Sequence, residues 1–453
     1  MTTTSPTPPT REQARRAAAA SAVGSLVEWY DFALYGAAAA LVFNTYFFVN
    51  ESPTAGLVAS FATFAVGYFA RPFGGIVFGH LGDKIGRKPV MIATLTLMGI
   101  STALIGLLPS YDAIGVAAPV LLVLLRILQG LGAGAEYAGA IVLSSESAPP
   151  AHRGFYASWS GAGVWVGSAL GLATFQVSLY LTGDAFLVWG WRIPFLMSLV
   201  MLAISLYIRR KVRETSSFEE AKNDEQIEAV PLVSLLRTDK GRLAVALGSN
   251  FMLSGFSYIP QVWVLSHLTN DLGYAAMAAL GINATLLLAG SAAMPFFGRI
   301  GDRIGRRKLF MFGAAFGAVW AFPMFWLVDS GSTPLVVLAL VVCFVGAVAT
   351  CYASQAAFLA ELFPPATRYS GVAFAREVSG ALLGGTAPLV ATALIAWADA
   401  SWPVACWMVA NAAVALVAVY FSKNYRSDAD QDDVDTFDHV ARTSAAATPA
   451  AVR

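Results

Sequence analysis

The sequence predicts an all-α membrane protein with twelve transmembrane helices in two six-helix bundles related by internal duplication. The 453 residues are 57% hydrophobic and only 13% charged, and the mean hydropathy is +0.63. A soluble domain of this length could not bury so much apolar surface. Two segments of the sequence also occur twice, at nearly the same displacement along the chain, as expected for a duplicated unit.

Twelve apolar runs are long enough to cross a membrane, because a hydrocarbon layer about 30 Å thick needs about 20 helical residues. Their predicted spans are 22–49, 55–79, 89–109, 115–146, 154–181, 188–209, 242–267, 274–298, 309–328, 333–362, 369–397 and 402–422. The predicted parts of the chain are an N-terminal segment 1–21, an N-terminal bundle 22–210, a linker 211–240, a C-terminal bundle 241–423 and a tail 424–453. The acidic tail is expected to be disordered, because it has too few apolar residues to form a core.

The duplication is visible in two pairs of connections. Residues 79–88 read Gly-His-Leu-Gly-Asp-Lys-Ile-Gly-Arg-Lys, and residues 298–307 read Gly-Arg-Ile-Gly-Asp-Arg-Ile-Gly-Arg-Arg. Residues 149–153 read Pro-Pro-Ala-His-Arg, and residues 364–368 read Pro-Pro-Ala-Thr-Arg. Each pair lies between apolar runs, so the two bundles are expected to share one topology.

Basic residues predict the orientation, because cytoplasmic loops carry an excess of Lys and Arg. They occupy alternate connections, for example at Lys84, Arg153, Arg210, Arg303 and Arg368. The intervening turns instead carry the acidic residues Glu51, Asp112, Asp184, Asp271, Asp329 and Asp399. The pattern predicts a multi-pass protein of the inner cell membrane with both termini in the cytoplasm.

Several function classes find no support in the composition or in short motifs. The chain has 29 Lys and Arg against 28 Asp and Glu, so net charge gives no reason to expect a nucleic-acid partner. It contains no phosphate-binding Gly-x-x-x-x-Gly-Lys-Ser/Thr loop and no hydrolase or zinc-protease motif. Its three cysteines lie in apolar segments without metal-ligand spacing. We therefore expect a protein that is not an enzyme, that needs no cofactor or metal and that acts as a monomer.

Ionisable residues inside the predicted spans are the candidate functional groups, because a charge at mid-bilayer costs about 2.5–3.5 kcal/mol on insertion scales. Glu28, Asp31 and Glu136 are the candidates for proton coupling. Arg126 and Arg376 are the candidates for binding a substrate carboxylate, since a guanidinium offers two parallel donors. Spans 1, 4, 10 and 11 are expected to line one cavity. The alternative is an internal ion-pair network that holds the helices in register.

Three uncharged polar residues are further candidates for substrate binding. Tyr35 follows Asp31 by about one turn and shares its helix face, and Gln129 shares a stripe with Glu136. Gln261 lies among the aromatic residues of span 7. Aromatic residues at helical spacing are more often packing residues, so only these three are added.

The repeated loops are candidates for conformational switching. Their glycines can end and reverse two helices within a few residues, and their aspartates can accept hydrogen bonds from a neighbouring helix end. The positions concerned are Gly79, Asp83, Gly86, Arg87, Gly298, Asp302, Gly305 and Arg306. The alternative is that the basic residues only anchor the topology.

These motifs resemble the major facilitator superfamily over almost the whole chain. More narrowly, the chain resembles the metabolite:proton symporter family through Glu28-Trp29-Tyr30-Asp31-Phe32, Arg71-Pro72-Phe73-Gly74-Gly75, Arg126-Ile127-Leu128-Gln129-Gly130 and Trp189-Gly190-Trp191-Arg192. The resemblance implies a carrier with one central site between two rocking halves. It also implies uptake coupled to protons, as in relatives for citrate, 2-oxoglutarate, shikimate and proline or betaine.

The resulting hypothesis is a proton-coupled symporter that imports a small organic acid or zwitterionic metabolite across the lipid bilayer. One alternative is a proton-driven exporter of drugs or metabolites, which would share the fold and the loops. A second alternative is a membrane sensor that binds a metabolite without moving it. Transport measurements would separate the three.

Overall fold

The computed structural model describes residues 11–49, 52–85, 87–134, 148–211, 239–364 and 367–425. Within these ranges the chain is helical and has no strand. The first bundle contains α1 (Arg11–Leu41), α2 (Pro53–Ile85), α3 (Arg87–Gly106), α4 (Ala117–Ala133), α5 (Arg153–Thr182) and α6 (Arg192–Lys211). The second contains α7 (Lys240–Asp271), α8 (Ala276–Ile304), α9 (Arg306–Val328), α10 (Thr333–Leu362), α11 (Ser370–Ala398) and α12 (Trp402–Phe421).

The twelve-helix prediction is confirmed, and the helices have the apolar character that a membrane requires. Eight of the described helices are long and apolar enough to cross a bilayer. Shorter apolar helices occur at Ile92–Gly106, Ala117–Ala133 and Arg192–Tyr207. Large apolar side chains also cover the outer surface, for example Val319, Trp326 and Phe73. Such a surface is stable against lipid and not against water.

The repeated loops are shorter than the sequence suggested, because most of their residues are helical. The helix α8 continues to Ile304, and α9 begins at Arg306. Only Gly305 separates them, with φ at +95°, a backbone conformation that residues with a Cβ rarely adopt. In the first bundle α2 likewise ends at Ile85 and α3 begins at Arg87, while Gly86 lies outside the described residues. Glu136 and the linker 212–238 also lie outside them.

Three helices of the second bundle contain π-helical turns, in which hydrogen bonds skip one more residue than in an α-helix. They are found in α7 at Phe251–Phe256, Ile259–Trp263 and His267–Asp271, in α10 at Phe344–Ala349 and in α11 at Gly380–Gly384. Such turns are frequent at functional sites. The faces of α7, α10 and α11 that meet the first bundle are therefore candidates for a functional site.

The two bundles meet along α5 and α8, which pack against each other over much of their length. Ser291 donates to the backbone oxygen of Ala162 at 3.0 Å near the middle of this pair. Gln176 donates to the backbone oxygen of Met277 at 2.9 Å near one end. We call this end, where α7 meets α8 and α9 meets α10, the acidic end. The opposite end, where α2 meets α3 and α8 meets α9, is the basic end.

Candidate functional site

A buried triad of charges joins the two bundles. Arg71 of α2 donates from Nη2 to Glu28 Oε1 of α1 and from Nε to Glu377 Oε2 of α11, both at 2.9 Å. All three side chains are buried. Because the guanidinium fork holds one carboxylate from each bundle, the triad is a contact that separation of the bundles must break.

The triad includes Glu28, one of the residues predicted from the sequence to couple protons. Glu28 is the partner of Arg71, as in the ion-pair alternative considered from the sequence. Glu377, the neighbour of Arg376 in the sequence, turns away to the same guanidinium. Spacing along the chain did not reveal this pairing, because Arg71 and Glu377 come from different bundles.

A chain of hydrogen bonds connects Asp31 with Arg126 inside the first bundle. Thr102 Oγ1 donates to Asp31 Oδ2 at 3.0 Å, and Gln129 Nε2 donates to Thr102 Oγ1 at 2.8 Å. Arg126 Nη1 donates to Gln129 Oε1. Asp31 and Arg126 are thus joined through two uncharged side chains, both fully buried.

Aromatic rings enclose the guanidinium of Arg126. Its Cζ lies 4.0 Å from the ring centre of Tyr35, 4.8 Å from that of Phe32 and 5.2 Å from that of Phe64. The negative ring faces attract the cation. Space for it comes from Gly67, where a Cβ atom would lie only 2.3 Å from Arg126 Nε.

Tyr35, a predicted substrate-binding residue, has its hydroxyl occupied in this structure. Its Oη donates to Thr63 Oγ1 at 2.7 Å, while its ring lies against Arg126. The side chain is fully buried. Tyr35 therefore supports the position of Arg126 in this conformation.

A small cavity lies between the bundles, and we call it the central cavity. Its lining residues come from α1, α2, α5, α7 and α8 and are Trp29, Phe32, Ala33, Gly36, Ala37, Phe64, Tyr68, Ser168, Leu172, Tyr258, Gln261, Val262, Leu265, Asn283 and Leu287. Its volume is about 20 Å³, which is room for about one water molecule. The described residues around this cavity therefore leave little free space between the bundles.

A second cavity lies nearer the basic end, and we call it the charged cavity. It has a volume of about 10 Å³ and is lined by Trp29, Tyr68, Arg71, Leu253, Ser254, Tyr258, Tyr352, Arg376, Glu377 and Gly380. The Cζ atom of Arg376 lies 6.0 Å from the ring centre of Trp29. Arg376 thus lies between the bundles, and its role in substrate binding stays a prediction.

Of spans 1, 4, 10 and 11, which were expected to line one cavity, helices α1, α10 and α11 reach the charged cavity. The described part of span 4, helix α4, lines neither of the two cavities, and residues 135–146 of that span lie outside the described residues. Arg126 and Gln129 lie behind Phe32 and Phe64, because the close approach at Gly67 lets α4 pack directly on α2. In this conformation they are separated from the central cavity by those rings.

Tyr68 and Tyr258 line both cavities and come from opposite bundles. Their hydroxyl groups are 2.7 Å apart and form a hydrogen bond. The two rings meet edge to face with centres 5.7 Å apart. This pair and Trp29 form the partition between the two cavities.

At the basic end, Asp302 of the second bundle caps a helix of the first bundle. Its Oδ1 accepts from the backbone N–H of Gly154 at 2.8 Å, and its Oδ2 accepts from that of Phe155 at 2.9 Å. Both N–H groups belong to the first turn of α5, whose N-terminus favours a negative charge. Arg306 bonds to Asp302 at 2.9 Å and also pairs with Glu361.

The repeated motif is therefore described most fully in its second copy. A Cβ atom at Gly298 would lie 2.7 Å from the backbone oxygen of Gly154, so both glycines permit the close approach of α5 and α8. In the first copy Gly79 lies within α2, whereas the side chains of Asp83 and Arg87 lie outside what the structure describes.

Sequence reasoning missed Thr102 and Asn283 as candidates. Both are neutral polar residues in apolar helices, so a search for intramembrane charges passes over them. Thr102 links Asp31 to Gln129, and Asn283 lines the central cavity. A search for every buried amide and hydroxyl near a charged residue would have found them.

The comparisons with known proteins identify the class to which this fold and site belong. A model of the Major Facilitator Superfamily matches residues 21–388 and 262–449. The chain therefore belongs to the Major Facilitator Superfamily, and its curated relatives are transporters and not enzymes.

Two relatives and one solved structure illustrate the similarity. The chain is 39% identical over 389 residues to the shikimate transporter of Escherichia coli (strain K12). The aligned residues cover 84% of this chain and 88% of that protein. It is 34% identical over 392 residues to the proline/betaine transporter of the same strain, covering 84% of this chain and 78% of that protein. These relatives confirm the resemblance to metabolite symporters.

A crystal structure of a D-xylose-proton symporter matches with a TM-score of 0.70 and 17% identity, covering 91% of this chain and 97% of that chain. At this identity the match concerns the fold. The chain is thus a multi-pass membrane transporter built on the duplicated twelve-helix fold.

Proposed function

We propose that the protein is a proton-coupled symporter that imports a small organic acid or zwitterionic metabolite by alternating access. The observation that carries this proposal is the buried chain of hydrogen bonds from Asp31 through Thr102 and Gln129 to Arg126, near a small cavity between the bundles. A buried carboxyl group and a buried guanidinium are expensive in a membrane, so their retention favours a functional role. The similarity to shikimate and proline/betaine transporters adds support.

Asp31 is the first candidate for carrying the proton. Its Oδ2 accepts from Thr102, while its Oδ1 is buried and has no hydrogen-bond partner among the described residues. A proton on Oδ1 would remove a buried negative charge. It would also weaken the hydrogen bonds that link Asp31 to Thr102 and Thr102 to Gln129. Protonation of Asp31 would therefore change the hydrogen bond between Gln129 and Arg126. Glu136 stays a second candidate on sequence grounds.

Substrate is proposed to bind in the space that opens between the bundles, with its carboxylate at Arg376 of the charged cavity. The rocking of the bundles then exposes this space to one side of the membrane at a time. The Asp302 contact with α5 would hold the basic end closed in one of these states. Because one chain supplies the whole cavity lining, we propose that the monomer transports.

The test is uptake into proteoliposomes under an imposed pH gradient, with carboxylates and zwitterions as substrates. The Asp31→Asn variant is expected to lose accumulation against a gradient while keeping exchange of labelled substrate. Asp112→Asn, in an exposed turn at the acidic end, is the matched control and should accumulate normally. Undiminished accumulation by Asp31→Asn would contradict the assignment, and accumulation driven only by the reversed gradient would indicate an exporter.

We also propose that the protein lies in the inner cell membrane with the basic end and both termini in the cytoplasm. The support is the alternation of basic and acidic connections along the chain. Labelling of single cysteines by an impermeant reagent in whole cells tests this orientation. A cysteine replacing Asp399 should react from outside, and a cysteine replacing Lys308 should not.

A further inference from the structure

Two buried oxygen atoms of the central cavity have no hydrogen-bond partner among the described residues. They are Gln261 Oε1 on α7 and Asn283 Oδ1 on α8. Gln261 is 7% exposed and Asn283 is 1% exposed, and both residues line the central cavity. Buried polar atoms are nearly always paired in native proteins, so two unpaired acceptors in one cavity suggest that a partner binds there.

The orientation of Asn283 is fixed by the protein itself. Its Nδ2 donates to the backbone oxygen of Gln261 at 3.0 Å, so the oxygen of the amide must be the atom that lacks a partner. The same bond keeps the two residues next to each other. Both oxygens are acceptors, so only a hydrogen-bond donor can satisfy them, and a ligand that displaces water from the cavity must bring such a donor.

The remaining lining of the central cavity restricts the ligand further. None of the described lining residues carries a carboxylate, an ammonium or a guanidinium. The hydroxyls of Tyr68 and Tyr258 satisfy each other, and Ser168 donates within its own helix. The other lining groups are mainly aromatic and aliphatic. A neutral donor on an apolar frame fits this surface, whereas a cation would have no opposite charge beside it.

The neighbouring charged cavity has the opposite character. Arg71, Arg376 and Glu377 line it, and Trp29 lines both cavities with an indole N–H that is buried and unpaired among the described residues. A substrate that spans the two cavities would therefore meet the guanidinium of Arg376, beside the ion pair of Arg71 with Glu377, at one end and amide oxygens at the other.

From this arrangement we propose that the transported molecule is a hydroxylated carboxylic acid, and that Gln261 and Asn283 accept hydrogen bonds from its hydroxyl groups. This inference rests on the proposed function and specifies its substrate class. The carboxylate points to the charged cavity and the hydroxylated part lies in the central cavity. A quaternary ammonium compound lacks donors for the two oxygens, and a dicarboxylate would bring further acceptors to them.

The test compares binding of three probes to the full-length protein in detergent by isothermal titration calorimetry. They are a trihydroxylated cyclohexenecarboxylate, unsubstituted cyclohexenecarboxylate and proline. We expect the hydroxylated probe to bind at least tenfold more tightly than the other two, because only it brings neutral donors to Gln261 and Asn283. Equal or weaker binding of the hydroxylated probe, or no binding of it, would overturn the proposal.

Variants then assign the preference to the two side chains. Gln261→Met and Asn283→Leu keep similar volumes without an amide oxygen, and each should bring the two cyclohexenecarboxylates to within about threefold of each other. Asn283→Ser, which keeps an acceptor, guards against a folding defect and should retain part of the preference. Gln355→Met is the control, since this buried glutamine bonds to Asn250 away from both cavities.

The binding test and the transport test can contradict their respective proposals independently of each other. Selective binding of the hydroxylated probe without proton-driven uptake would leave this inference standing and remove the proposed coupling. Proton-driven uptake that is indifferent to hydroxyl groups would leave the proposed function standing and remove this inference. A full preference for hydroxyl groups in both Gln261→Met and Asn283→Leu would also overturn it.

Discussion

The hydroxyl of Thr102 occupies a central position among the buried polar groups. It accepts from Gln129 Nε2, and its single O–H lies within hydrogen-bond distance of both Asp31 Oδ2 and the backbone oxygen of Met98 in α3, which share this one donor. A single oxygen thus connects the candidate proton carrier on α1 with α4. Hydrogen bonds to charged groups contribute about 1.5–3 kcal/mol to stability. The Thr102 hydroxyl therefore contributes more to stability than the small size of the side chain suggests.

The first prediction concerns this residue. Thr102→Val keeps the shape of the side chain and removes both of its bonds to neighbouring helices. We expect proton-driven uptake to fall by about tenfold, because the link from Asp31 to Arg126 is broken. Thr102→Ser should retain most activity.

A matched control is available on the same helix. Thr96 donates to the backbone oxygen of Ile92 within α3, and Thr96→Val should transport normally. Equal uptake by Thr102→Val and the original protein would contradict a role for the chain in coupling.

Sequence reasoning found the charged members of the site and not their partners. Intramembrane charge alone singled out Asp31, Arg126 and Arg376, because charge in a membrane is costly wherever it lies. The partners depend on how each helix is rotated about its axis and on which glycine lets another helix approach. A neutral bridge such as Thr102 leaves no trace in a charge pattern.

At the scale of elements, the crossing of α5 and α8 at the basic end depends on two small residues. A Cβ atom at Gly154 would lie 2.6 Å from Asp302 Oδ1 and 2.9 Å from the backbone oxygen of Gly298. Backbone atoms cannot move aside as a flexible side chain can. The close approach of the two helices here is therefore possible only because Gly154 lacks a methyl group.

The second prediction follows from this crossing. Gly154→Ala should hinder closure of the basic end and lower uptake by at least tenfold, since the methyl group would push α8 away and break the Asp302 cap. Spin labels on the basic ends of α5 and α8 should report a longer distance by pulsed electron paramagnetic resonance.

The control for Gly154→Ala lies on the same two helices. At Gly161 the one atom within 3 Å of an added Cβ would be Cε at the end of the flexible side chain of Met294, at 2.5 Å, while Tyr352 would lie at an ordinary contact distance of 3.7 Å. Gly161→Ala should therefore leave the distance between the labels unchanged. An unchanged distance in Gly154→Ala as well would show that the contact does not limit closure.

The repeated loop itself shows what can be read at this scale. The sequence predicted only that the glycines of the loop let two helices end and reverse, and the structure places the reversal at one of them, Gly305, where φ is positive. It suggested a ten-residue turn where the structure has nearly continuous helices. Charged residues at the end of a long helix look like a loop in a hydropathy profile. The π-helical turns of α7 were likewise invisible, since no residue pattern specifies them.

At the scale of the molecule, one histidine of the second bundle connects turns at the acidic end by hydrogen bonds. His267 of α7 bonds through Nδ1 to Asp271 Oδ2 at 2.7 Å and through Nε2 to Asp329 Oδ1 at 3.1 Å. An ionised carboxylate only accepts hydrogen bonds, so both ring nitrogens donate only when the imidazole is protonated. Asp329 is also bonded to Ser401, which connects three turns at this end.

The third prediction is that this end becomes less stable as the imidazole loses its proton. Neutral imidazole has one donor, so the midpoint of thermal unfolding should fall as the pH is raised across the range in which histidines titrate. His267→Gln should lower stability by about 1–2 kcal/mol and remove this part of the pH dependence. An identical pH profile in His267→Gln would refute the prediction.

At low pH the stability of the acidic end should depend on the protonation of Asp329, the partner of His267. Burial alone would raise the pKa of Asp329, but hydrogen bonds from His267 and Ser401, with the charge of His267, hold it below its usual value. A lowered pKa stabilises the fold above the ordinary pKa of aspartate, about 3.9, and this contribution is lost as the pH falls below it. Asp329→Asn should lack this acid-side loss.

The architecture of the whole molecule was readable from sequence because a bilayer imposes strong rules. Twelve apolar runs and two repeated landmarks predicted the helix number and the duplicated bundles. The state of the carrier was not readable. That both ends are in contact and that the centre holds about 20 Å³ depend on side chains from opposite bundles, such as Tyr68 and Tyr258.

The hydrogen bond between these two tyrosines has a consequence for the unloaded carrier. Each hydroxyl satisfies the other when the bundles close without cargo, so closure of the empty protein leaves neither group unpaired at that point. A carrier that can close and reopen while empty completes its cycle without a molecule to carry back. Net accumulation is then possible, where a strict exchanger would only trade one molecule for another.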